Sequence, residues 1–150
     1  MLAFLQVFLI SMVPLIELRG AIPWGVIFLK LPIWEVVILS ILSNIILIPL
    51  IYICLVLGNK LLSNFKFWQK FWAWMVARVH KKFTEKYYKA GLIGLCLFVA
   101  VPLPGTGAWT GTIAGYVFGF RKRDIMWSVG GGVVIAGIAI SLLTFGLTAI

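Results

Sequence analysis

The sequence predicts an all-α integral membrane fold of two inverted halves, each a re-entrant helical hairpin followed by a transmembrane helix, the two joined by an amphipathic surface helix. Three observations carry that prediction. Of the 150 residues 63% are hydrophobic, mean hydropathy is +1.11 and only four residues are acidic, too apolar a balance for a soluble domain. Two apolar stretches are interrupted, at residues 14–23 and 102–111. Basic residues are clustered, with eight of thirteen between Lys60 and Lys89 and three in Arg121-Lys122-Arg123. Such clusters mark cytoplasmic flanks of membrane segments, so the net charge of +9 is read as topology and nucleic acid is not expected as a partner.

Residues 1–150 form a single membrane domain on this reading, and residues 1–30 are its first hairpin. The run 2–16 makes ~20 Å of helix, short of the ~30 Å hydrocarbon layer. It lacks the basic leader and small-residue cleavage site of a signal peptide, so it is expected to stay in the mature chain. Glu17 to Pro23 breaks the run, and the shorter stretch from Trp24 ends at Lys30. Residues 31–58 are long enough to span, with Pro32 at the start and Gly58-Asn59 as a stop. Glu35 suits the positive end of that helix, and Ser40, Ser43 and Asn44 fall mid-span, where polar groups turn toward protein.

Residues 60–89 alternate apolar and basic positions at helical spacing, with Trp68 and Trp72 among lysines, as a helix lying on a membrane does. His80, among Arg78, Lys81 and Lys82, reads as solvated. Residues 90–120 carry the second break. Basic residues precede and follow them, so a single crossing would put one cluster outside, whereas a hairpin keeps both on the cytoplasmic side. Gly111, Gly115 and Gly119 form a bare ridge for close helix packing. Residues 125–149 are a second span. Pro14-Leu15 stands 44 residues before Gly58, and Pro102-Leu103 stands 44 before Gly146, a spacing echo consistent with a repeat. Cys54 and Cys96 lack metal or disulfide spacing and read as inert thiols.

The two breaks carry the polar chemistry. Glu17 and Arg19 are two apart and would face different sides of a regular helix, but in an unwound turn both can face a central cavity. A membrane charge needs a partner or water. Burial favours the neutral form of a carboxylic acid and a nearby cation opposes it, which makes Glu17 the proton-coupling candidate. Arg19 offers a bidentate grip on phosphate or carboxylate. In the second break Pro102 and Pro104 stop an incoming helix, Gly105 and Gly107 free backbone amides, and Thr106, Thr110 and Trp109 supply hydrogen-bonding side chains. A helix starting near Ala108 would aim its positive end inward, toward an anion. The plainer readings are a structural ion pair and a steric turn.

The segments Glu17-Leu18-Arg19-Gly20-Ala21-Ile22-Pro23 and Pro102-Leu103-Pro104-Gly105-Thr106-Gly107-Ala108-Trp109-Thr110-Gly111 together resemble the small multidrug export family of prokaryotic membrane proteins, over essentially the whole chain. The layout is more distantly similar to the DedA, or SNARE-associated, superfamily. That resemblance implies Glu17 as the acidic residue of the first hairpin, Pro104-Gly105 as the turn of the second, and translocation of lipid phosphates or proton-dependent drug tolerance as function. DedA proteins have arginines in or just after the second loop, whereas none occurs here before Arg121, so Arg19 would substitute.

The expectation is a transporter or lipid flippase in the prokaryotic inner membrane, with residues 60–89 and 121–124 cytoplasmic, a homodimer, and membrane lipid, protons and an amphipathic or anionic lipid-like substrate as partners. No cofactor or metal is expected, and no nucleophile–base pair suggests an enzyme. Two alternatives stand beside it: a lipid-binding organiser that transports nothing, and a four-span drug/proton antiporter.

Overall fold

The structure is a computed structural model describing residues 2–14, 16–62, 69, 70, 73, 85–103 and 105–148. All regular elements among the described residues are helical: α1 Leu2–Met12, α2 Glu17–Pro23 continued by a π-helical stretch Trp24–Phe28, α3 Ile33–Leu62, α4 Glu85–Ala100, α5 Ala108–Val117 and α6 Lys122–Thr148. Among the described residues α3 and α6 are long and apolar enough to cross a membrane. The other helices are short and come in pairs around a break.

Small residues decide how these helices approach one another. A methyl group at Gly130 would touch Ile48 and one at Gly137 would strike Ile41, so α3 and α6 run antiparallel in close contact. Gly111 lies against Val99 and Gly115 against Leu95, so α5 returns along α4 in the opposite direction. Gly25 lies against Val7 of α1 and Val36 of α3, which packs the first pair onto the first long helix. The core these contacts enclose includes Val7, Leu18, Ile22, Ile48, Val99 and Val129. Outside it the helices present bare apolar faces, with Leu2, Trp34, Ile46, Leu61, Trp127, Leu142 and Leu147 exposed. Water does not tolerate contiguous faces of this kind, and lipid does.

Polar contacts fix which ends lie together. The Tyr88 hydroxyl donates to Asp124 Oδ2 at 2.6 Å and accepts the Arg121 backbone N–H at 3.1 Å. Lys122 Nζ stands 5.9 Å over the Tyr52 ring. The start of α4, the start of α6 and the later part of α3 therefore share one end of the bundle, and that end carries Lys89 and Arg121 to Arg123.

Several boundaries differ from those expected. The first break lies at residues 13–16, and Glu17 to Pro23 is helical. Pro23 falls in the last turn of α2, and the turn that follows it is widened: Leu29 N–H bonds Trp24 O at 3.2 Å, five residues back. Gly58-Asn59 does not stop α3, which runs on to Leu62 with Pro49 inside it. A glycine in a helix weakens it only modestly, and lipid leaves backbone groups no competing partner. Residues 85–89 open α4, and most of the amphipathic stretch 60–89, His80 included, lies outside the described residues. The ridge at Gly111 and Gly115 is buried within the chain, while Gly119, at φ +74°, follows the end of α5. Ser43 and Asn44 turn inward as expected: Ser43 Oγ donates to Ser40 O at 2.9 Å, and Asn44 Nδ2 donates to Ser40 O at 2.9 Å.

Two glycines in long helices predict opposite outcomes. A methyl at Gly132 would meet the Cys96 carbonyl oxygen at 2.6 Å and Val99 Cβ at 2.7 Å, so Gly132→Ala must push α4 off α6. It is expected to destabilise by about 1–3 kcal/mol in detergent unfolding. Gly58 has nothing within 4 Å, and Gly58→Ala is expected to be neutral or stabilising by up to ~1 kcal/mol. Equal behaviour of the two variants would refute this packing.

Candidate functional site

A helix that ends inside an apolar layer leaves carbonyl oxygens with no water to bond, so each must find a donor in the protein. At the end of α1 four successive carbonyls do. Ile10 O accepts from Val13 N–H at 3.1 Å and Ser11 O from Asn44 Nδ2 at 3.2 Å. Met12 O accepts from Trp109 Nε1 at 3.1 Å and Val13 O from Glu17 N–H at 3.1 Å. Two of the donors are side chains from distant helices, so α3 and α5 both hold the first break in shape.

The first break returns the favour to the second through Glu17 and Arg19. Glu17 is 4% exposed and opens α2 with φ at +48°, a left-handed backbone that costs a non-glycine residue roughly 1–3 kcal/mol. That conformation lets two side chains only two residues apart meet. Arg19 Nη1 donates to Glu17 Oε2 at 2.8 Å. Glu17 Oε1 accepts the backbone N–H of Trp109 at 3.2 Å, in the first turn of α5. Arg19 Nη2 lies 3.0 Å from Val99 O, 3.1 Å from Val101 O, 3.2 Å from Thr106 O and 3.1 Å from Thr106 Oγ1, in and after the last turn of α4, and these acceptors share its two protons. The carboxylate thus faces the positive pole of α5 and the guanidinium the negative pole of α4, the favourable order for both dipoles.

The loop itself is tied down by Thr106, whose hydroxyl lies 2.8 Å from Val101 O and 2.9 Å from Leu103 O, so its one proton is shared between them. Gly105 takes φ +84°, which glycine adopts without penalty. Gly107 serves a different purpose: a methyl there would land on the Glu17 carboxylate. Thr110 Oγ1 donates to Gly107 O at 3.3 Å. Pro102 is exposed beside the loop, and Pro104 lies outside the described residues.

The structure therefore brings Glu17, Arg19, Thr106, Gly107 and Trp109 into one cluster, with Thr110 and Gly105 on its rim. The anion that faces the start of α5 is the chain's own carboxylate, and the Arg19 fork is filled by the chain's own oxygens apart from Nε, which is buried without a partner. The sequence reading missed the acceptors Met12, Val99 and Val101, because a backbone carbonyl carries no signal in residue identity. Asn44 was visible as a buried amide, though not as the cap of α1. Among the described residues no group of His, Cys, Asp and Glu suits a metal.

Fold and site together define a class: a helical membrane protein in which two interrupted helix pairs lock through a buried ion pair. The family model described as "Putative small multi-drug export protein" matches residues 17–139, and the chain belongs to this family. No curated protein and no solved structure matches the chain. The DedA likeness rests on layout alone.

Removing one member of a buried pair strands the other. Arg19→Ala and Glu17→Ala are each expected to destabilise by about 3–5 kcal/mol, and the double variant by clearly less than their sum. Gly107→Ala should resemble Glu17→Ala. Additive losses in detergent unfolding would show that the two side chains act independently.

Proposed function

We propose that this chain is a proton-coupled secondary transporter of the prokaryotic cell membrane that moves an amphipathic or lipid-phosphate substrate. Glu17 is the proton-coupling group, and the single observation that carries the reading is its position: a buried carboxylate whose two oxygens hold Arg19 on one side and the start of α5 on the other. Protonating it removes the charge that binds both. The guanidinium and the Trp109 amide then become a site for an anion, with Gly105, Thr106, Gly107 and Thr110 around it and Pro102 beside the loop. Substrate anion and Glu17 carboxylate thereby compete for one set of donors, and a proton on Glu17 favours the substrate, which is how the two are coupled.

The fold supports this reading without depending on it. Each half runs short helix, break, short helix, long helix, and the long helices are antiparallel, as in inverted halves with re-entrant hairpins. Residues 60–89 and 121–124 are read as cytoplasmic. Four single spans fit poorly, because they would separate the basic clusters at opposite ends, whereas Tyr88 touches Asp124. A homodimer would have to use faces other than the Gly111–Gly115 ridge, which is covered within the chain.

The test is flux of a fluorescent phospholipid analogue in reconstituted vesicles under an imposed pH gradient. The native chain is expected to couple flux to the gradient, and Glu17→Gln to lose at least about tenfold, the scale of one lost charge-assisted contact, with helicity retained. Undiminished coupling in Glu17→Gln removes the carboxylate from the mechanism. Absence of flux in both forms favours the lipid-binding organiser.

A further inference from the structure

A groove of about 560 Å³ lies beside the α3–α6 contact, lined by Ile45 of α3 and by Arg123, Met126, Trp127, Gly130, Gly131 and Val134 of α6. Its volume lies within the ~300–1,000 Å³ of small-molecule sites. We propose that it holds one anionic phospholipid, with the phosphate on Arg123 and an acyl chain laid along the glycines. This assignment is independent of whether the chain transports anything.

Three observations select that occupant. The first is charge: Arg123 is exposed and makes no ion pair or hydrogen bond among the described residues. Arg121 and Lys122 stand beside it, and the nearby carboxylate of Asp124 is engaged by Tyr88. Basic pockets between membrane helices attract anionic headgroups, and a planar guanidinium matches a phosphate. The second is length. From Arg123 to Val134 is eleven residues, about 16 Å of helix, or roughly half of a ~30 Å hydrocarbon layer. The groove is thus one leaflet deep, polar at one end and apolar at the other. The third is Trp127, 74% exposed one turn below Arg123, where an indole sits at headgroup level.

A second copy of the chain suits the groove less well. A two-fold contact about an axis along the membrane normal would set the rows Arg121 to Arg123 of both copies at the same level, where like charges repel.

The experiment uses the full chain in vesicles of brominated phosphatidylglycerol or brominated phosphatidylcholine, reading Trp127 emission as the difference between native protein and Trp127→Phe. The native chain is expected to prefer the anionic lipid by about fivefold, the scale for one arginine at a membrane surface. Arg123→Gln should abolish that preference. Gly130→Leu, whose Cβ meets only Ile48 Cδ1 at 4.0 Å, should fill the groove and reduce quenching by both lipids with helicity retained. Equal quenching by the two lipids in the native chain, or a preference that survives Arg123→Gln, overturns the proposal. So does a Gly130→Leu variant that quenches normally but runs as a smaller assembly in detergent, because the groove would then be a contact between copies.

Discussion

A helix interrupted within a hydrocarbon layer exposes amides at one end and carbonyls at the other, and each left unbonded costs several kcal/mol. This fold contains two helix interruptions among apolar helices and brings them together. The carboxylate of Glu17 answers the amide end of α5 and the guanidinium of Arg19 answers the carbonyl end of α4, so one ion pair satisfies both polarities of the second break. Trp109, which opens α5, answers the carbonyl end of α1 in turn. Neither break is satisfied by its own neighbours alone, and the folded arrangement of α1 and α2 therefore depends on that of α4 and α5.

Much of the surrounding sequence follows from that requirement. Glu17 must leave the helical region of backbone space for its carboxylate to reach Arg19 and Trp109 together, and the strain is offset by the contacts made. Gly107 must lack a side chain because the carboxylate occupies the place of one. Asn44 must sit mid-span in α3, an expensive location for an amide, because Ser11 O needs a donor there. Arg19 rather than lysine fits its position, since a planar fork can serve Glu17 with one nitrogen while the other reaches oxygens from Val99 to Thr106.

The sequence shows the helices and hides their joinery. The two long helices were legible because twenty-odd apolar residues have few alternatives, and the second break because two prolines and two glycines exclude a continuous helix through Pro102 to Gly107. The start of α5 at Ala108 followed from the same residues. The first break was misplaced by a few residues because Glu17 and Arg19 looked like the interruption, when they are the first turn of the helix after it. Proline and charge mark where a helix is under stress, not which side of the stress it ends on. The site was legible in its charged members and illegible in its backbone acceptors. An unexpected result was that the anion facing α5 comes from the chain itself, which only the tertiary arrangement of Glu17 and Trp109 reveals.

The same interlock constrains how the molecule can move. Separating the two breaks exposes at once a carboxylate, a guanidinium, the indole donor of Trp109 and the carbonyls of Met12, Val99 and Val101. Such a state is reached only if something of both polarities replaces the lost partners, and in a dry interior that means water, alone or with a ligand bearing an acceptor for Arg19 and the α5 amide, arriving as the gap opens. Apolar molecules cannot supply those bonds, whereas an amphipath with an anionic head can.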